Sequence, residues 1–190
     1  MHINCTSTPI STQQLKTDNK TLYFNLYTLS LSTLTFKTMA TEIERKYLIK
    51  EDLLNLPAEG NRIVQGYLWS EKGKSLRIRI TKNKGFLTIK TGTNPLSRLE
   101  YEYEIPLTDA EELLSQCEKK IEKTRFIIEF AGMNWEVDVF EGENKGLVMA
   151  EIELESVDQK FEKPEWLGVE VTDDKRYLNV NLINQPYSLW

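Results

Sequence analysis

Histidine is nearly missing from this 190-residue chain: the single one, His2, lies at the amino-terminal end. That excludes Ser/His and Cys/His catalytic pairs from the folded body and leaves acid–base chemistry to carboxylates, lysine, tyrosine or a metal-bound water. Cysteine is almost as scarce. Cys5 and Cys117 are the only two, so there is no CxxC motif, no Cys/His metal cluster and no disulfide framework, and a reducing, cytoplasmic setting is expected. Long apolar runs are lacking too. The longest uncharged stretch, residues 21–36, contains Asn25 and several Ser and Thr, and it falls short of the roughly 20 apolar residues of a membrane helix. Finally, there is no excess of positive charge. A net charge of −5 gives no broad basic surface of the kind nucleic acid requires. Neither a membrane nor a nucleic-acid partner is expected.

Residues 1–38 also lack glycine and arginine and are rich in Thr, Ser, Leu and Asn. They read as a poorly ordered extension, without the compact apolar centre or cleavage site of a signal peptide. Met39 directly precedes the first clear strand, so the expectation is that residues 1–38 come from an upstream start and that 39–190 form one domain.

From Thr41 onward, apolar and polar residues alternate with a period of two, the pattern of strands with one apolar and one polar face. Eight such runs occur, at about 42–50, 62–69, 75–81, 85–91, 97–105, 120–130, 133–140 and 146–155. Short turn sequences separate most of them, among them Lys82-Asn83-Lys84-Gly85 and Glu141-Gly142-Glu143-Asn144, which predicts antiparallel hairpins. Two segments switch toward helix. Thr108 and Glu111 have capping-box spacing ahead of Leu113, Leu114 and Cys117, and a short amphipathic helix is expected from Asp173 through Leu182.

Sorting each run by parity places charge on the non-apolar face of every long strand except the second. Like signs recur at i and i+2: Glu42 with Glu44, Arg77 with Arg79, Glu100 with Glu102, Lys123 with Arg125, Glu151 with Glu153. An antiparallel sheet with one wet face alternates in this way with no active site. Segregation by sign argues for more, because like charges on one face repel unless something compensates them. Metal ions on the acidic rows and a polyanion on the basic rows would do so. Eight strands can close into a barrel wide enough for a small ligand. Turned inward, Glu42, Glu44, Glu100, Glu102, Glu104, Glu136, Asp138, Glu151 and Glu153 would face Lys46, Arg77, Arg79, Lys90, Arg98, Lys123 and Arg125. So many charges require a wet lumen.

This ordered set resembles the CYTH superfamily, the triphosphate tunnel metalloenzymes. The matching motifs are ExExK (Glu42, Glu44, Lys46), R-I-R (Arg77, Arg79), T-I-K (Lys90), R-L-E-Y-E-Y-E-I (98–105), E-K-T-R (Lys123, Arg125), W-E-V-D-V-F (Glu136, Asp138) and A-E-I-E-L (Glu151, Glu153), with Trp166 to Thr172 like the family's closing element. The resemblance covers about residues 40–184 and implies a mainly β (α+β) fold: an eight-stranded antiparallel closed or nearly closed barrel with a few peripheral helices, binding triphosphates with Mg²⁺ or Mn²⁺. Glu42, Glu44, Glu151 and Glu153 are then the first candidates for metal ligands, with Glu100, Glu102 and Asp138 next. Arg77, Arg79, Lys90, Lys123 and Arg125 would grip phosphate oxygens. Lys46 would touch phosphate or tie the carboxylates together, with phosphate favoured, and Glu151 or Glu153 would accept a proton from the attacking water. The expected activity is metal-dependent hydrolysis of a triphosphate, inorganic tripolyphosphate foremost. The alternatives are a class IV adenylate cyclase making cyclic AMP from ATP, hydrolysis of thiamine or another organic triphosphate, and a non-catalytic polyphosphate- or nucleotide-binding module. Apolar barrel-exterior faces left uncovered by the two helices could support a homodimer.

Overall fold

The alternating runs become strands close to where the pattern places them. The computed structural model describes residues 40–94 and 96–190, and the extension expected over residues 1–38 lies outside the described residues. In order come β1 (Ala40–Ile49), β2 (Asn61–Glu71), β3 (Lys74–Thr81), β4 (Lys84–Thr91), β5 (Ser97–Ile105), α1 (Leu107–Ser115), β6 (Lys120–Phe130), β7 (Met133–Phe140), β8 (Val148–Glu153), β9 (Leu167–Glu170) and α2 (Asn179–Leu182). The β6–β7 turn is tight because Ala131 and Gly132 both take positive φ, 50° and 74°, the backbone that matches the twist of a two-residue hairpin.

Strand β1 closes the barrel. Its first half, from Ala40 to Ile43, pairs with β5, and Glu44 to Leu48 pair with β8. The eight strands therefore form an antiparallel ring in the order β1-β5-β4-β3-β2-β6-β7-β8. A ninth strand, β9, is added to the expected eight. It continues beside β1 where β5 ends, with Tyr47 opposite Glu170 and Ile49 opposite Leu167.

Alternation then sends one parity of each strand outward and the other inward. On the outer face, α1 covers β2 to β4 by packing Ala110, Leu114 and Cys117 on Ile78, with Val64, Ile80 and Leu87 around them. Across the barrel, Tyr47, Trp135 and Ile152 are covered by Leu154, Phe161 and Trp166, and Trp135 meets Tyr47, Phe161 and Trp166 edge-on at 5.8, 5.7 and 5.6 Å. The inside of one end is apolar as well. Inward-facing Ile121, Phe140 and Met149 pack with Tyr177, Leu182 and Ile183 from the carboxyl-terminal segment, which acts as a stopper.

Two local expectations change. Helix α1 starts at Leu107 after Pro106, not after a Thr108 cap; no side chain caps it, and the Thr108 hydroxyl turns to the Asp109 carboxylate at 3.3 Å. The early start brings Ala110 under Gly85. The expected helix from Asp173 to Leu182 splits into a 3₁₀ turn at Lys175–Tyr177 and the four-residue α2, because Leu178 between them is extended.

The close seat of α1 is testable. A Cβ on Gly85 would sit 2.4 Å from Ala110 Cβ, and one on Gly66 would sit 2.6 Å from Cys117 Cβ. Gly85→Ala and Gly66→Ala are each expected to cost about 1–3 kcal/mol through overpacking, read as a lower urea midpoint at unchanged slope. Unchanged midpoints in both would mean that α1 does not seat on those strands as described. Among the described residues, no helix is long and apolar enough to cross a membrane.

Candidate functional site: the ionic cavity

Above the apolar stopper the inward faces turn ionic. Moving along β8 from Met149, the next inward residues are Glu151 and Glu153, and on β1 the corresponding series runs from Leu48 through Lys46 and Glu44 to Glu42. The space they enclose is a cavity of about 240 Å³. Its wall holds Glu42, Glu44, Lys46, Arg77, Arg79, Lys90, Arg98, Glu100, Glu102, Lys123, Arg125, Glu136, Glu151 and Glu153. Strand pairing thus brings together nearly every residue marked by the charge pattern.

Two members of the expected set lie elsewhere. Asp138, proposed as a later metal ligand, is 0% exposed and does not line the cavity. It sits behind the wall, accepting from Arg125 at 2.6 Å through both oxygens and from Lys123. Its inward direction is correct, but the two longer cations stand between it and the lumen. Glu104 lies at the barrel rim and pairs with Lys84 at 2.9 Å, both half exposed. From the carboxyl-terminal segment, Lys175 lines an adjoining cavity that shares Lys90, Arg98, Leu178 and Val180 with this one, while Arg176 turns away. Arg176 bonds Asp174 at 2.6 Å and covers the Trp190 ring; Leu178, Asn179 and Val180 face the cavity instead.

Register explains the charge segregation. Signs that repeat along a strand meet the opposite sign on its neighbour: Glu100 is opposite Lys90, Glu42 opposite Arg98, Lys46 opposite Glu151 and Arg125 opposite Asp138. Lys90 bonds Glu42 at 2.6 Å and Glu100 at 3.0 Å, Arg98 bonds Glu44 at 2.9 Å, and Arg79 bonds Glu102 at 2.8 Å. The protein therefore compensates much of this charge itself. Like charges face each other directly at Glu44 with Glu153 and at Glu136 with Glu151. Arg125 bridges the second pair, bonding Glu151 at 2.7 Å and also Glu136. Both residues of the first pair line the cavity, and Glu44 there accepts from Arg98 and Lys46.

Burial and neighbouring charge set the protonation states. Burial alone would lower the Lys46 pKa, but Glu151 and Glu44 outweigh it and hold the ammonium above its usual range. Lys46 bonds both, Glu44 at 3.1 Å, so here it ties the carboxylates together. Burial would raise Glu151, yet Lys46 and then Arg125 hold it well below the ordinary carboxylate range. Burial opposes a drop at Glu100 also, and Lys90 prevails. Lys123 goes the other way: burial and then the Arg125 charge push it below the lysine range in spite of Asp138.

Sorting by charge passes over β2, which nevertheless lines the cavity with Gln65 and Tyr67. Burial pushes the Tyr67 phenol up, so it stays neutral. The same parity rule finds both residues once uncharged polar side chains are counted with charged ones. Among the described residues, Gln65 Nε2, Arg77 Nε and Arg79 Nε are buried without a hydrogen-bond partner.

For a divalent cation the donor chemistry fits. Glu44, which also accepts from Arg98 and Lys46, and Glu153 are hard oxygen donors set opposite each other, where a cation could take an oxygen from each. No group of three or more carboxylates among the described residues is drawn close enough to hold a metal without further ligands. A cation held here by one or two carboxylates would take its remaining ligands from water and substrate phosphate.

Comparison with known proteins gives the same answer as the geometry. The family model described as the CYTH domain matches residues 40–187. The chain is 50% identical over 151 residues to an inorganic triphosphatase of Acetivibrio thermocellus, covering 78% of this chain and 97% of that protein. It is 39% identical over 148 residues to one of Nitrosomonas europaea, covering 73% and 94%. A solved structure described as the inorganic triphosphatase NE1496 superposes with a TM-score of 0.56 at 37% identity, over 76% of this chain and 95% of that one. A closed antiparallel ring lined by these rows, matched by the family model along nearly all of its length, makes this chain a member of the CYTH family.

Proposed function

We propose that the protein hydrolyses the terminal phosphoanhydride of a triphosphate, inorganic tripolyphosphate foremost, with Mg²⁺ or Mn²⁺. The observation that carries this reading is one cavity with two kinds of wall: carboxylates Glu44 and Glu153 facing each other on β1 and β8, and Arg77, Arg79 and Lys90 on β3 and β4. Simple anion binding does not require the first wall. Both curated relatives are named inorganic triphosphatase, which supports the reading.

Glu44 and Glu153 would hold the cation, with Glu42 beside them. When bound, the cation neutralises phosphoryl oxygens and lowers the pKa of the attacking water. Arg77 and Arg79 offer planar forks to phosphate oxygens, and Lys90 offers a point charge. Arg125, held by Glu151 and Glu136, presents a fixed cation to charge that develops in the transition state. Preorganisation of these donors by their carboxylate partners is what makes them effective, since they do not reorient during the reaction. Glu153 is the proton acceptor in this reading. Glu151 is held so far below the usual range that it is a weak base. Lys46 acts through the carboxylates it ties together. Glu100 and Glu102 orient Lys90 and the arginines from the far wall. Among the residues lining the cavity, Tyr67 is the aromatic side chain, and it is half-buried against the apolar stopper, which limits the ring face open to a nucleobase. That disfavours the cyclase. The reading includes a cytoplasmic setting, which the buried free thiol of Cys117 suits.

The test is to incubate the purified protein with Mg²⁺ or Mn²⁺ and tripolyphosphate, ATP or thiamine triphosphate in parallel, measuring phosphate and cyclic AMP. Phosphate release fastest from tripolyphosphate is expected. Cyclic AMP from ATP would replace the hydrolase reading, and tight binding of all three without turnover would leave only a binding module.

A further inference from the structure

The β2 wall separates two cationic rows. On one side stands β3, with Gln65 opposite Arg79 and Tyr67 opposite Arg77; on the other stands β6, which brings Lys123 and Arg125. In this charged lumen β2 contributes neutral groups. Gln65 is 1% exposed, lines the cavity, and has a buried Nε2 with no hydrogen-bond partner among the described residues. Its register neighbour Arg79, and Arg77 two residues away on the same face, each bury an Nε in the same condition. Three residues at adjoining positions of β2 and β3 therefore each carry a buried N–H donor without a hydrogen-bond partner among the described residues. An unpaired buried donor is costly, and each is expected to have a partner in some state of the protein.

From this patch we infer that Gln65, with Tyr67 beside it, forms an uncharged phosphate-oxygen subsite between the two cationic rows, and that Gln65 is a substrate-binding residue. The inference rests on the triphosphate reading above and adds to it a contact that charge alone does not supply. A phosphoryl oxygen reaching this wall would accept from the Gln65 amide, with Arg79 on the adjoining strand supplying charge beside it. A neutral donor suits the position because a fifth cation between Arg77, Arg79, Lys123 and Arg125 would be repelled by all four. An acidic group there would repel the ligand.

The residue then works against stability in the free protein and for binding in the complex, and the two effects are separable. In Gln65→Leu, an apolar side chain of similar size replaces an unsatisfied amide. The free variant is expected to melt at the wild-type temperature or higher, while the KM for tripolyphosphate rises about 10-fold, the size expected for a hydrogen bond to a charged acceptor. Thermal shift with tripolyphosphate in EDTA reads binding without turnover. The ligand-induced rise should be smaller in Gln65→Leu than in wild type, and Gln65→Glu should lose it. Tyr67→Phe should show a milder loss of the same kind. An undiminished ligand-induced rise in both Gln65 variants overturns the subsite. So does a Gln65→Leu protein that melts well below wild type, because the amide would then be paired in the free protein. If wild-type protein binds tripolyphosphate but does not hydrolyse it, the hydrolase reading fails, and the thermal shifts still decide on Gln65.

Discussion

Glu151→Gln should lower stability by about 3–5 kcal/mol, the cost of removing one partner from a buried ion network. Glu151 accepts from Lys46 and from Arg125 at 2.7 Å, and Lys46 is 4% exposed. Without that carboxylate, Lys46 keeps Glu44 but loses its shorter contact, and Arg125 leans on Asp138 and Glu136 alone. The effect should appear as a lower denaturant midpoint and, through misplaced cations, as lost turnover. Glu151→Gln is therefore a poor test of a catalytic role; Glu153→Gln, at the exposed end of β8, is the better one when its denaturant midpoint is measured beside its turnover. The pH dependence has a definite sign. Because the folded Glu151 titrates below the unfolded carboxyl, its contribution is present above the unfolded pKa of about 4.3 and is lost on acidification through the folded value. Wild-type stability should fall below about pH 4 more steeply than that of Glu151→Gln. Parallel acid profiles with equal midpoints would show that Glu151 is not the keystone of this network.

Withdrawing divalent cations should have the largest effect on activity. EDTA is expected to reduce tripolyphosphate hydrolysis by about 10²–10⁴-fold, the equivalent of the several kcal/mol a cation contributes to transition-state charge. Anion binding should survive, because Arg77, Arg79 and Lys90 belong to the protein and remain in the wall when the cation is withdrawn. Glu44→Gln should mimic the chelator by weakening the carboxylate pair, and raising Mg²⁺ or Mn²⁺ should rescue it in part. The measurement is phosphate release against cation concentration for both proteins. Hydrolysis at the normal rate in EDTA would remove the cation from the mechanism, and identical cation dependence in the variant would remove Glu44 from the metal site.

Much of this site is legible in the chain before folding. Alternation places strands correctly because half-buried strands must put apolar residues on one face, and parity then gathers Glu42, Glu44, Arg77, Arg79, Lys90, Glu100, Glu102, Lys123, Arg125, Glu151 and Glu153 on the other. The cavity wall holds all of them. Gln65 and Tyr67 escape a search that looks only for charge. Asp138 is gathered correctly and yet sits behind the wall, because depth within a face depends on the length of neighbouring side chains. The cap of α1 is misplaced by local pattern since its start is fixed by the contact of Ala110 with Gly85, a pairing that sequence proximity does not reveal.

The sequence by itself determined which side chains share a face and which signs repeat along each strand, since both follow from the two-residue period of a single strand. Only the tertiary structure decided what stands opposite them. Register between strands is a property of pairs: a shift by two residues would keep every parity and change every partner. The actual register turns like-charged rows into bonded opposites at Lys46 and Glu151 and at Lys90 and Glu100. It sets Glu44 against Glu153, where two carboxylates face each other across adjoining strands.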